Sequence, residues 1–233
     1  METCAFTGHR PKGLGYPESD GRCAALKEKL RTLIIRMMEE EGVTHFISGM
    51  AQGVDMYAAE IVLELKKQYP QITLECAIPY ERQAVRWPEA LRNRYFSIAE
   101  RCDQETMLQR QYTPDCLRKR NQYMVDHADI VLAVWNGSPS GTGQTVWYAR
   151  ETGKPVWIFR PDTLEVDFCF WQELLCFLIL PEHLSVSFAD SSPQGEPLFP
   201  MPPIEGRWHG VSRDGEVAAP HFPSAAPCGE VPP

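Results

Sequence analysis

No two cysteines in this sequence have CxxC spacing, and no Cys/His cluster has the spacing of a zinc site. The eight cysteines, at positions 4, 23, 76, 102, 116, 169, 176 and 228, read as reduced structural thiols rather than metal ligands or nucleophiles. Cys4, Cys76 and Cys169 lie in apolar runs, where Cys behaves as a small buried hydrophobe. Long apolar runs are also missing. The longest, Phe168 to Leu180, is interrupted by Gln172 and Glu173 and falls short of the roughly 20 residues a membrane helix needs. Met1-Glu2-Thr3-Cys4 lacks the basic start of a secretory signal, so the expected location is cytoplasmic. Basic residues are in the minority, 23 Lys and Arg against 31 Asp and Glu, for a net charge of −8. That balance disfavours a broad nucleic-acid surface, which needs Lys and Arg on phosphates. It leaves room for a small anion in a local pocket, because net charge describes the whole surface and not one site.

What is present points to a globular domain and a tail. Hydrophobic residues make up 43% and charged residues 23% of 233, an ordinary balance for a globular protein. The composition changes near Ser187. Residues 187–233 hold ten of the twenty prolines, with six acidic and two basic side chains. Such a segment buries too little apolar surface to offset its ordering entropy. The expected organisation is therefore a domain over 1–186 and a Pro-rich, acidic, disordered tail over 187–233.

Within 1–160 strand and helix signals alternate. Strands are expected at Thr3–Thr7, Thr44–Ser48, Ile72–Ile78, Glu105–Leu108, Ile130–Trp135 and Pro155–Phe159. Helices are expected at Cys23–Glu41, Val54–Tyr69, Pro88–Cys102, Cys116–His127 and Gly143–Thr152. The spacing of Leu26, Leu30, Leu33 and Met37 carries the first helix. Phe168–Leu180 reads as a late helix packing on the domain. Apolar strands separated by helices predict an α/β, Rossmann-like, three-layer αβα fold with a mainly parallel sheet.

Ligands of such sheets bind outside the carboxyl ends of the strands, so the loops there matter most. After the first strand comes Thr7-Gly8-His9-Arg10-Pro11, with a hydroxyl, a glycine and a phosphate-competent cation. After the second comes Ser48-Gly49-Met50-Ala51-Gln52-Gly53-Val54-Asp55, whose small residues let main-chain N–H groups line up at a helix start. It matches neither GxGxxG nor GxxxxGK[ST], so the standard dinucleotide and P-loop fingerprints are absent. The alternative for this loop is a tight turn with Asp55 in the first helical turn. After the third strand, Tyr80 or Trp87 is placed to stack on a ring. Arg118, Arg120 and Asn121 start a helix and either reach a phosphate or form a solvated basic face. After the fifth strand, Asn136 to Thr145 offers a Gly/Ser loop running into a Thr-rich helix start.

These motifs resemble a family. Ser48 to Asp55 looks like the SGxAxGxD segment of YpsA-like proteins and of the DNA-processing protein DprA, both in the SLOG superfamily of Rossmann-like ligand-binding domains. Thr7 to Pro11, Pro79-Tyr80 with Gln83 and Trp87, Arg120-Asn121, and Gly141 to Thr145 resemble the YpsA-like branch. The resemblance covers about residues 1–160. It implies a site for a nucleotide or ADP-ribose-like ligand in a bacterial sensory or regulatory protein, a branch linked to cell division. The expected ligand-binding residues are Thr7, Gly8, Arg10, Ser48, Gly49, Ala51, Gly53, Asp55, Tyr80, Arg120, Asn121, Gly141, Thr142, Gly143 and Thr145. No resident cofactor is fixed by the sequence. A protein partner or a second copy of the chain is compatible with this reading.

Two other functions stand beside it. The related Lonely-guy phosphoribohydrolases carry PGGxGTxxE, whereas Ser140 to Thr145 lacks the Pro-Gly-Gly start and the spaced Glu. A hydrolase would then depend on Asp55, Glu60 or Glu81, with His9. The remaining alternative is an interaction scaffold that docks through the tail. DprA-like loading of single strands would need a basic groove, which this acidic chain does not suggest.

Overall fold

A computed structural model describes residues 2–169. Seven strands and six helices follow one another. Strand β1 (Glu2–Gly8) leads through the single turn α1 (Pro11–Leu14) to α2 (Gly21–Glu40) and β2 (Val43–Ser48). Helix α3 (Val54–Leu65), β3 (Thr73–Ile78), α4 (Glu89–Ala99) and β4 (Gln104–Met107) come next. The domain continues with α5 (Cys116–Asp126), β5 (Ile130–Val134), α6 (Gly141–Glu151), β6 (Val156–Phe159) and β7 (Val166–Cys169).

The strands form one sheet in the order β4-β3-β2-β1-β5-β6-β7. All neighbouring pairs are parallel except β6 with β7. The expected Rossmann-like α/β fold is therefore present. The apolar stripe of α2 (Leu26, Leu30, Leu33, Ile34 and Met37) is buried with residues of α3 and α4 on one face of the sheet. Met124 and Val125 of α5 and Val146 and Ala149 of α6 are buried on the other. Parallel strands covered on both faces explain why β5 is apolar at every position and wholly buried.

Helix starts follow local chemistry. Asp20 caps α2 by accepting from the Arg22 N–H at 2.8 Å, and Ser140 caps α6 by accepting from the Gly143 N–H at 3.1 Å. Helix α3 has no side-chain cap. Its N-cap is Gly53, at φ 95°, and the Val54 N–H bonds to the His9 carbonyl at 3.3 Å instead.

Two expectations change. Residues 166–169 form a strand antiparallel to β6, so the start of the apolar run at Phe168 is sheet and not helix. Residues 170–180 of that run, and the expected tail over 187–233, lie outside the described residues. The chain leaving the β1 loop, where no helix is expected, forms the helical turn α1.

The contact between α3 and the β1 loop is unusually close. A Cβ at Gly53 would lie 2.7 Å from the His9 carbonyl oxygen, in a backbone conformation that L side chains rarely adopt. A Cβ at Gly8 would lie 2.5 Å from Val54 Cβ. We expect Gly53→Ala to lower unfolding stability by about 2–4 kcal/mol through strain plus overpacking. Urea denaturation measures this; a loss below about 0.5 kcal/mol, the range of an ordinary surface change, would contradict the close approach.

Candidate functional site

Strand β1 lies between β2 and β5, and the helices that follow β1 and β5, α2 and α6, cover opposite faces of the sheet. This is the switch point at which open α/β sheets bind ligands. The loops after β1 and β5 are joined there. The buried His9 ring places Nε2 2.8 Å from Asn136 Oδ1, and Oδ1 also accepts from the Ser138 N–H and hydroxyl at 3.1 and 2.7 Å. At 2.8 Å two lone pairs would repel, so Nε2 carries the proton and donates. The Asn136 N–H, 3.3 Å from the same nitrogen, is then not a second hydrogen bond. His9 works as a latch between loops rather than as a free base.

Beside this latch lies a cleft of about 210 Å³. Arg10 enters it from the β1 loop, and Ala51 and Gln52 from the β2 loop. Tyr80, Gln83 and Trp87 come from the β3 loop; Tyr112, Leu117 and Arg120 come from α5 and the chain before it. The rings of Tyr80 and Tyr112 meet edge to face at 5.3 Å, with Tyr112 63% exposed. A larger groove of about 300 Å³ lies between α2 and α3. Its cations Lys27 and Arg31 are already paired with Glu18 and Glu64, and it does not adjoin the carboxyl-end loops.

The centre of the cleft floor is a buried ion pair. Arg120 Nη1 lies 3.3 Å from Asp55 Oδ2 and also donates to the Gly49 carbonyl. Both residues are buried, at 5% exposure each. A Cβ at Gly49 would lie 1.6 Å from Nη1, so only glycine leaves the guanidinium its place. Asp55 Oδ2 accepts the Ala51 N–H at 3.3 Å, and the Asp55 carbonyl accepts the Ser48 hydroxyl at 2.8 Å. Ser48 Oγ accepts in turn from the Met50 N–H at 3.2 Å. Met50 has φ 55°, and its carbonyl is held by Gln83 Nε2 at 2.8 Å. Burial pushes the Asp55 carboxyl up from its ordinary value, opposed by Arg120; burial pushes Arg120 down, opposed by Asp55. Arginine stays charged throughout the working range, so Asp55 stands against a fixed positive charge that favours its ionised form.

Two polar atoms here lack partners among the described residues. Arg120 Nε and Gln83 Oε1 are buried and make no hydrogen bond, although both side chains line the cleft. Arg10 is exposed and forms no ion pair among the described residues. Two guanidiniums thus face one carboxylate, which leaves a local positive excess on an acidic protein.

The expected site residues divide into three groups. Arg10, Ala51, Tyr80 and Arg120 line the cleft. Ser48, Gly49 and Asp55 belong to the network around Arg120, while Thr7, Gly8 and Gly53, at the end of β1 and the start of α3, do not line the cleft. Asn121, Gly141, Thr142, Gly143 and Thr145 gather at the start of α6, and none of them lines it. There the Thr145 hydroxyl donates to the Gly141 carbonyl at 2.9 Å and accepts from Asn121 Nδ2 at 2.8 Å. Gln52, Tyr112 and Leu117 are cleft residues the sequence did not single out. Tyr112 had no findable signal, since it stands in a polar stretch without periodicity. Of the candidate acids, Glu60 is paired with Arg94. Among the described residues no cluster of His, Cys, Asp or Glu could hold a metal ion, and no helix is long and apolar enough to cross a membrane.

The model of the YspA SLOG family (YpsA) matches residues 4–154. The chain belongs to this family. It is 31% identical over 161 residues to the SPbeta prophage-derived protein YoqJ of Bacillus subtilis, spanning 63% of this chain and 94% of that one. It is 28% identical to the UPF0398 protein YpsA of Bacillus subtilis, over 71% of this chain and 96% of that one. Among solved structures, DprA from Streptococcus pneumoniae aligns at a TM-score of 0.47 and 18% identity, covering 67% of this chain and 50% of that one.

The buried pair yields a prediction. Asp55→Asn leaves the Arg120 charge without its counter-ion and should destabilise the YpsA-family domain by about 3–5 kcal/mol. Asp55→Leu combined with Arg120→Met should cost less than Asp55→Asn alone, because no unpaired charge stays buried. Chemical denaturation of the three proteins checks the order. Equal losses would mean that the pair is not electrostatically coupled.

Proposed function

We propose that the cleft binds a small anionic ligand carrying a flat ring, of the nucleotide or ADP-ribose kind, and that the protein is a receptor for it rather than its hydrolase. One observation carries the reading: a cleft at the switch point combines Arg10, Arg120 and Gln83, all short of partners among the described residues, with the rings of Tyr80, Tyr112 and Trp87. Arg10 supplies charge for a phosphate, the aromatic wall supplies a stacking surface, and Gln83 has an acceptor to spare for an amino or hydroxyl group. The volume of about 210 Å³ lies under the roughly 300–1,000 Å³ of drug-sized ligand pockets. It suits one nucleotide moiety, so a dinucleotide would extend into solvent or toward Gly141 and Thr142 at the start of α6. Binding without turnover is supported by the state of the acids: Asp55 is tied to Arg120 and Glu60 to Arg94.

Calorimetric titration of the full chain with AMP, ADP-ribose and NAD tests the proposal, with inorganic phosphate and adenosine as half-ligands. AMP or ADP-ribose should bind more tightly than either half, and Arg10→Ala should weaken binding about tenfold or more, equivalent to about 1.4 kcal/mol. Arg10 is exposed, so this variant leaves the floor of the cleft intact. No heat with any compound at about 1 mM, where binding is worth about 4 kcal/mol, would overturn the reading. Release of ribose or phosphate that depends on Glu81 would replace the receptor with an enzyme.

A further inference from the structure

Arginines without a carboxylate partner gather beside the cleft. Arg82 and Arg86 immediately precede Gln83 and Trp87 of its wall, Arg118 follows Leu117, and Arg110 stands two residues before Tyr112. All four are exposed, as are Arg10 and Lys12, and none of the six forms an ion pair among the described residues. Elsewhere Arg22, Arg31, Arg36, Arg94 and Arg160 each face a carboxylate. Arg92 and Arg101, which also lack one, belong to α4 and the turn after it.

The backbone holds these cations at the mouth of the cleft. After β3 the chain makes successive tight turns: the Gln83 N–H donates to the Tyr80 carbonyl at 3.1 Å, Val85 to Arg82 at 3.3 Å and Trp87 to Ala84 at 3.0 Å. Gln83 and Ala84 are buried by these turns, while Arg82 and Arg86 stay outside. After β4 the Leu108 N–H donates to the Ile78 carbonyl at 2.9 Å, and the Tyr112 ring meets Tyr80. Arg110 lies between those two anchors.

Nearby carboxylates do not cancel this charge. Asp115 is taken by Lys119 at 2.9 Å and by the Thr113 hydroxyl at 2.6 Å, and Asp55 faces Arg120. What remains against the six cations is Glu81 and Glu89. Like charges gathered at a cleft repel one another and focus a field into it, and a multivalent anion relieves both effects. The basic stretch is also short. It runs over the loops from β4 to β1, three strand spacings or roughly 14 Å. It stops there, because residues 135–145 after β5 hold no charged side chain.

We propose that the ligand of the cleft is a nucleoside di- or triphosphate, whose first phosphate meets Arg10 and whose further phosphates are held outside the cleft by Arg82, Arg86, Arg110 and Arg118. This rests on the nucleotide reading above and adds to it the phosphate chain. A monophosphate would leave the four outer guanidiniums without a role, and a long strand would outrun them.

The test is calorimetric titration of the full chain with AMP, ADP and ATP, without divalent cations, at low and at raised salt. Affinity should rise about tenfold or more from AMP to ATP, and the gain should shrink as salt rises. Arg82→Gln, Arg86→Gln, Arg110→Gln and Arg118→Gln together should cut the ATP-to-AMP ratio to about threefold or less. A gain that survives in this variant would overturn the assignment of the four residues. The wild-type series decides by itself as well: ATP no tighter than AMP would overturn the proposal and leave the nucleotide reading standing. Inorganic tripolyphosphate binding as tightly as ATP would instead remove the nucleotide reading, and the proposal with it. An oligodeoxythymidylate that displaces ATP, with affinity growing with its length, would assign the cations to a nucleic-acid strand and overturn the proposal too.

Discussion

A guanidinium taken out of water must find its partners inside the protein, and Arg120 shows how much of a loop that requirement shapes. Its charge needs Asp55, which must therefore stand at the start of α3. Its Nη1 needs the Gly49 carbonyl, and the room for it exists because residue 49 has no Cβ. Removing two charges from water costs several kcal/mol per ion, which only good geometry and added hydrogen bonds offset. The Ala51 N–H on Asp55 and the Ser48 hydroxyl on the Asp55 carbonyl are such bonds. The β2 loop is thus folded around an ion pair, and the left-handed Met50 at its tip is a local strain that the surrounding bonds hold in place.

This changes the meaning of a glycine-rich strand-to-helix loop. Small residues at 49, 51 and 53 suggested a cradle of N–H groups for an anion. In the folded chain, the N–H groups of Met50, Ala51 and Val54 are taken by Ser48, Asp55 and His9. Gly49 gives way to a guanidinium and Gly53 to the main chain of the β1 loop. The same residue types serve both purposes, so composition alone cannot separate a ligand cradle from a tightly packed turn.

The elements that periodicity and turn residues mark were legible in the sequence. Strand β5 is apolar throughout, and α2 has a continuous stripe, because each is buried in the way its pattern states. Strand β7 was not legible. It is four residues long and has Asp167 in its middle, and its order comes from antiparallel pairing with β6 rather than from its own propensity. The turn α1 is shorter than any helical period. For the candidate site, Arg10, Arg120, Asp55 and Tyr80 could each be found from the loops they occupy. The pairing of Arg120 with Asp55 across 65 positions, and the arrival of Tyr112 beside Tyr80, are tertiary facts with no local signal.

The two arginines of the cleft divide its work. Arg120 is buried and its charge is met by Asp55, so it contributes shape and a donor at Nε more than net field. Arg10 is exposed and forms no ion pair among the described residues, so attraction for the proposed anionic ligand would rest mainly on it. An exposed charge acts through a Debye length of about 8 Å at physiological ionic strength. Affinity for an anionic ligand should therefore fall as salt rises, while discrimination among rings and hydrogen-bonding groups should persist, because Gln83 and the aromatic wall are little screened. On the proposed reading, that combination would hold one short anion at the switch point of the sheet of an otherwise acidic chain.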